Sequence, residues 1–170
     1  MSTIVEIPTL TTPRLTLRAF RAEDLDALTA LHSDLEVMRF LGGEPRSREE
    51  SWLTMERAPG QWALRGYGLM AIEVEGVFAG RAGVLHPPGW PEPELAWTLA
   101  SGFWGRGLAT EAAQTLRDWA FSRFGWTRLV RYILTGNIRS RRVAEKLGCA
   151  ISGTVALRGF VADVWVHPGP

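Results

Sequence analysis

The chain has 170 residues, 46% hydrophobic and 22% charged, with a formal net charge of +1; this is the composition of an ordinary soluble globular protein with room for one domain over 1–170. So small a net charge sets up no broad field to attract nucleic acid or an anionic membrane, so any bound anion is expected to be small and held locally. No apolar run approaches the ~20 residues of a membrane span, the N-terminus lacks the basic-then-apolar pattern of a secretory signal, and the single cysteine, Cys149, excludes an intrachain disulfide, so a cytoplasmic location is expected.

The elements follow in chain order. "RLTLRAF" (Arg14 to Phe20) alternates apolar and polar residues and predicts a strand. "AEDLDALTALHSD" predicts a helix through Leu25, Leu28, Leu31 and Leu35, and "SREESWLTMERA" a second, with Ser47 as cap and Glu50 three residues on. The period then changes: Gly68 to His86 reads as two strands joined at Glu75-Gly76. "HPPGWPEP" is a turn and "ELAWTL" (Glu94 to Leu99) a strand. A helix is predicted from about Thr110 to Phe124, stopped by Gly125. "RLVRYIL" predicts a strand, "NIRSRRVAEKL" a short helix closed by Gly148, and "CAISGTVAL" and "VADVWVH" two terminal strands. The order implies one mixed α/β (α+β) domain, with a mostly antiparallel twisted sheet of about seven strands and about four helices.

The stretch "SGFWGRGLATEAAQTL" (101 to 116) places three glycines between a strand and the start of a strong helix. Leading helix amides lack internal partners and carry positive potential, and glycine lets a ligand approach the backbone closely. That arrangement suits a phosphate group. A nucleoside-triphosphate loop would need a lysine here, and the only lysine is Lys146. A dinucleotide fingerprint would need a third glycine and an acid at the end of the next strand, and both are missing.

"FWGRGLATEA" resembles the acyl-CoA pyrophosphate loop of the GNAT superfamily of N-acetyltransferases, whose core pattern is Q/R-x-x-G-x-G/A. Gly107 and Ala109 match its G and G/A positions, and Trp104 replaces the usual Gln or Arg, as in the Rim-type branch that acetylates ribosomal-protein N-termini. "TPRLTLRAF", "ELAWTL" and "GNIRSRRVAEKLG" are similar to other segments of that branch. The resemblance implies acetyl-CoA as co-substrate and a primary amine as acceptor, with direct attack in a ternary complex and no metal. A non-catalytic acyl-CoA-binding domain is the alternative.

Residue by residue, the resemblance implies the following. Glu94 is the candidate base, against the plainer reading of a solvent-facing strand end. Trp97, Thr98 and Leu99 offer backbone to the pantetheine arm. Trp104, Gly105, Arg106, Gly107, Leu108, Ala109 and Thr110 form the diphosphate loop, with Arg106 placed to add a charge-assisted contact. Asn137 is a cofactor-binding candidate that also suits the N-cap of the late helix, and Ser140 stands in for the tyrosine acid, whose position is Ala144, against the plainer reading of a first-turn helix residue. Arg142 is the candidate for the 3′-phosphate. Cys149 is read as structural, and His32, His86 and His167 make no metal pattern. The acceptor side is expected from the early helices and the loops after them, Leu35 to Glu44 and then Pro87 to Pro93, and Met38, Phe40, Trp52, Trp62 and Trp90 on these segments suggest an aromatic pocket, though most of these rings fit an ordinary core as well. No nucleic-acid or membrane partner is expected, and a homodimer is left open.

Overall fold

The computed structural model describes residues 5–170. Its elements are β1 (Leu10–Thr11), β2 (Thr16–Arg18), α1 (Leu25–Ser33), α2 (Leu35–Met38), α3 (Arg48–Arg65), β3 (Leu69–Val74), β4 (Val77–Leu85), β5 (Glu94–Leu99), α4 (Leu108–Phe124), β6 (Val130–Leu134), α5 (Ile138–Lys146), β7 (Ala150–Leu157) and β8 (Phe160–Val166). The strands form one sheet in the order β1-β2-β3-β4-β5-β6-β8-β7, antiparallel except where β5 meets β6. Among the described residues the sheet has eight strands, flanked by five helices; the additions to the expected seven and four are the two-residue β1 and the one-turn α2, both too short to show a period.

Local chemistry explains most boundaries. Ser47 Oγ accepts from the Glu50 amide at 3.1 Å, and Glu50 Oε2 accepts from the Ser47 amide at 2.7 Å, so α3 starts at a full capping box. The expected stretch ended at Ala58, yet α3 runs on through Pro59 and Gly60 to Arg65. Burial outweighs the breaker pair: Met55, Ala58 and Trp62 form one buried stripe, and Trp62 Nε1 donates to the Leu69 carbonyl at 3.1 Å. The β3–β4 hairpin turns at Glu75 and Gly76 as expected, both at positive φ (51° and 78°), which matches the strand twist.

The sheet is covered on both faces. On one, α4 packs Leu108, Ala112 and Leu116 against Ala82, Leu95, Trp97 and Leu99. On the other, Leu28 and Leu31 of α1 and Met55 of α3 pack against Ala71 and Phe78. Strand alternation therefore sends Trp97 and Leu99 toward α4, and Arg81, which is in register with Ala71 and Thr98, toward α1 and α3.

Candidate active site at the parting of two strands

Parallel β5 and β6 share a single register pair, Glu94↔Val130. Val130 N–H donates to the Pro93 carbonyl at 3.2 Å, and the next β6 amide in line, that of Tyr132, donates at 3.2 Å to Glu94 Oε1. A side-chain oxygen thus occupies the place of the next ladder carbonyl, and beyond it the strands diverge. Arg131 Nη1 donates to the same oxygen. Glu94 is 1% exposed, so the plainer reading of a solvent-facing strand end is overturned. Pairing across to β6 draws the carboxylate inward, where Oε2 has no partner. Burial pushes the carboxyl above the usual range, against the downward pull of Arg131 and the Tyr132 amide.

The gap opens into a cleft of about 360 Å³. One wall is β5, through Trp97, Thr98 and Leu99; the floor is Trp104, Gly105 and Gly107 with the first turn of α4, Leu108, Ala109 and Thr110. The far wall is α5, through Asn137, Ser140 and Arg142. Gly107 is the N-cap of α4, at φ 76°. A cap at positive φ suits glycine, which brings no side chain to bond the leading amides. By contrast Ser47 caps α3, and Asn137 Oδ1 caps α5 through the Ser140 amide at 3.2 Å. The leading amides of α4 therefore point into the cleft without a side-chain cap, a place for an anion.

Two expected residues lie off the lining. Glu94 sits behind it, at the closed end of the split, while Arg131 lines the cleft and holds Glu94. The exposed Arg106 side chain lies against Phe103, 5.7 Å from the ring centroid, and lines a separate depression beside Arg14. Its carbonyl accepts from Arg14 Nη1 at 2.8 Å, which anchors the turn. Trp104 has a bracing role that sequence reasoning missed: Nε1 donates to the Leu99 carbonyl at 2.9 Å, so that oxygen is already engaged. Ser140 is 9% exposed and faces the cleft, whereas Ala144, the tyrosine position, is sealed against Ile133 and Trp165.

The cleft also includes residues not anticipated there. Arg139 and Lys146 join Arg142 on one face of α5, a spacing of three and four residues that a helical reading of the arginine run would have revealed. Arg139 stacks on the Trp104 ring at 4.0 Å and lies 3.8 Å from Glu36, so α2 and the turn after it roof the cleft mouth with Glu36, Val37, Phe40 and Leu41. The segment assigned to the acceptor thus borders this cleft. The expected aromatic pocket is not assembled: Met38 and Trp62 are buried core, and Trp90 packs edge-on against Tyr132 at 5.4 Å.

Cys149 does have a histidine neighbour, since its sulfur lies 3.3 Å from His167 Nδ1. Burial pushes the thiol up to about 11 and His167 down to about 3, so the pair is a neutral structural contact. His86 contacts the Trp90 carbonyl in its turn. Among the described residues no group of histidines, cysteines and acids is placed to hold a metal, and no helix is long and apolar enough to cross a membrane.

The geometry thus combines an uncapped helix start, a free strand edge and a buried carboxylate at one split in a sheet. The chain is 30% identical over 154 residues to the uncharacterized protein YkkB of Bacillus subtilis, covering 86% of this chain and 87% of that one. It is 29% identical over 164 residues to an FsC-acetyl coenzyme A-N(2)-transacetylase of Aspergillus fumigatus, covering 88% of this chain and 67% of that one. A crystal structure of an acetyltransferase from Agrobacterium tumefaciens superposes with a TM-score of 0.85 at 32% identity over 98% of each chain. Residues 14–150 match the model of the acetyltransferase (GNAT) domain, and the chain belongs to that family.

Proposed function

We propose that the protein is an acetyl-CoA-dependent N-acetyltransferase, formed by residues 1–170 as one domain, that passes the acetyl group directly to a primary amine in a ternary complex. The observation that carries this reading is the uncapped start of α4 lying in the same cleft as the unpaired edge of β5. The residues present fit coenzyme A. Gly105 and Gly107 to Thr110 line the cleft, and their amides suit its diphosphate. Arg106 lies off that lining and acts on the turn through its carbonyl, which Arg14 holds. Trp97 offers free backbone edge to the pantetheine arm, whereas the backbone of Thr98 is turned to Arg81 of β4, and Arg142 and its neighbours on α5 suit the 3′-phosphate. The name of the Aspergillus relative supports the same donor and a nitrogen acceptor.

Bound acetyl-CoA supplies an activated acyl group. The chain supplies proton handling and charge stabilisation. Glu94, raised by burial and with Oε2 unengaged, takes the proton from the incoming ammonium, directly or through water. Arg131 holds the other oxygen and keeps the carboxylate in place. Ser140, at the α5 wall, donates a hydrogen bond from its hydroxyl to the sulfur, which leaves as the thiolate. Asn137 fixes the turn that presents Ser140.

The test is thiol release from acetyl-CoA against a panel of amines and short peptides, with calorimetry of CoA alone. Release that requires an acceptor supports transfer. Tight CoA binding without turnover on a broad panel would favour an acyl-CoA sensor instead.

A further inference from the structure

Arg18 and Arg81 stand in one row across the sheet, since Arg18 is in register with Ala71 and Ala71 with Arg81. Both are buried, at 6% and 9% exposure. Arg18 is fully engaged: its terminal nitrogens donate to the two oxygens of Asp24 at 2.8 Å and its Nε to Glu73 at 2.7 Å. Arg81 is the opposite case. Its Nε has no acceptor, and the one carboxylate acting on it, Glu94, is committed to Arg131.

The groups around Arg81 deepen the imbalance. Burial, with repulsion from Arg46 and Arg131 added to it, pushes Arg81 down to about 10, still charged at neutral pH. His32 faces the same charges and stays neutral: its Nδ1 lies 2.9 Å from Ser51 Oγ, which donates onward to the Ser47 carbonyl, so Nε2 is a bare buried acceptor. Arg131 Nε, Glu94 Oε2 and Tyr132 Oη also lack partners. Two buried guanidiniums, Arg81 and Arg131, thus share one carboxylate, and a single positive charge is left over. A fixed buried charge beside unpaired polar atoms calls for a partner, and an anionic ligand supplies both the charge and the acceptors. Arg81 is on the α1 side of the sheet, opposite the face where Trp97 and Leu99 meet α4, so donor phosphates at the start of α4 are not that ligand. A monoanion on the acceptor side balances the charge, and a planar guanidinium matches a carboxylate in two parallel hydrogen bonds.

We infer that Arg81 receives a carboxylate of the acceptor, so that the amine acetylated here carries its own carboxylate, as a free amino acid or an acidic peptide end does. This rests on the acetyl-transfer reading above. The experiment compares thiol release for L-amino acids with their amides, and for peptides with aspartate or asparagine in second position, using wild type, Arg81→Lys and Arg81→Gln. Expected is at least a tenfold preference in kcat/KM for the carboxylate member, kept in part by the lysine variant and lost in the glutamine variant. Whether the amino-acid or the peptide arm carries the preference identifies the source of the carboxylate. Equal rates for carboxylate and amide acceptors overturn the inference and leave acetyl transfer standing. If nothing turns over, the acetyl-transfer reading has failed, and thermal shift with N-acetyl-L-alanine against N-acetyl-L-alaninamide decides the anion site alone. Protection of wild type by the acid, but not of Arg81→Gln, supports it; no protection overturns it. Arg81→Gln should melt no lower than wild type, since it removes an unbalanced buried charge; a much lower melting point means that Arg81 is structural and overturns the assignment.

Discussion

Tyr132 gives its backbone N–H to the carboxylate of Glu94 at 3.2 Å, so one side chain both ends a strand ladder and becomes fixed at the point of divergence. Glu94→Gln keeps an acceptor for that amide but removes the charge facing Arg131. We expect the fold to survive and kcat/KM to fall by about 10²–10⁴, the usual contribution of a positioned base. In wild type the rate should climb with pH as Glu94 loses its proton above the ordinary carboxylate range. The variant should lose that limb of the profile. An undiminished rate across neutral pH removes Glu94 from the chemistry. Glu94→Ala should in addition unfold more easily by about 3–5 kcal/mol, because Arg131 is left buried and unpaired.

Gly107→Ala tests the helix start. The backbone there is at φ 76°, and a Cβ would sit 3.4 Å from Arg14 Nη2. A strain of about 1–3 kcal/mol is expected in the melting curve, together with weaker CoA binding by calorimetry. Unchanged CoA affinity with lowered stability would show that the turn is only structural.

Asn137 and Ser140 can be separated because the cap uses the Ser140 amide, not its hydroxyl. Asn137→Ala should cost about 1 kcal/mol of stability through the lost cap. Ser140→Ala should leave the melting point nearly unchanged and lower kcat several-fold. Steady-state kinetics beside thermal melts resolve the two, and a Ser140→Ala enzyme with wild-type kcat ends the proposal for its hydroxyl.

Acid should weaken the fold through two histidines. Burial holds both His32 and His167 down at about 3, so they are neutral when folded but protonate near 6.5 in the unfolded chain. Their contribution is present above about pH 6.5 and is lost as pH falls toward 3, together on the order of several kcal/mol. Glu94, raised in the fold, runs the other way and offsets part of the loss. Urea midpoints between pH 7.5 and 4.5 should fall steeply, and His32→Asn should flatten the slope by close to one proton. A slope unaffected by that variant would mean that His32 is charged in the folded protein.

The parts of this structure governed by local pattern were legible in the sequence. The Glu75-Gly76 hairpin, the Ser47 capping box and the Gly125 stop of α4 each follow from residues within a few positions of one another, while α4 itself begins at Leu108, two residues before the expected Thr110. The cleft lining on β5, the glycine turn and α5 was also anticipated, because the turn chemistry and the resemblance point to the same segments. What could not be read depends on distant pairing. Glu94 is buried because β6 lies beside it, Cys149 meets His167 only across the last strands, and the extension of α3 past Pro59 depends on where Trp62 lands. Arg81 looks like any alternating strand residue until the register reveals which face it occupies and which acids are already taken.

Arg139 belongs to two contacts at once, stacked on Trp104 and 3.8 Å from Glu36 across the cleft mouth. An anion that recruits this arginine must therefore break into an existing exposed pair rather than meet an idle cation. Added salt loosens that pair as well as the new one. The ionic-strength dependence of donor binding should accordingly be shallower than a count of Arg139, Arg142 and Lys146 as three free cations would imply.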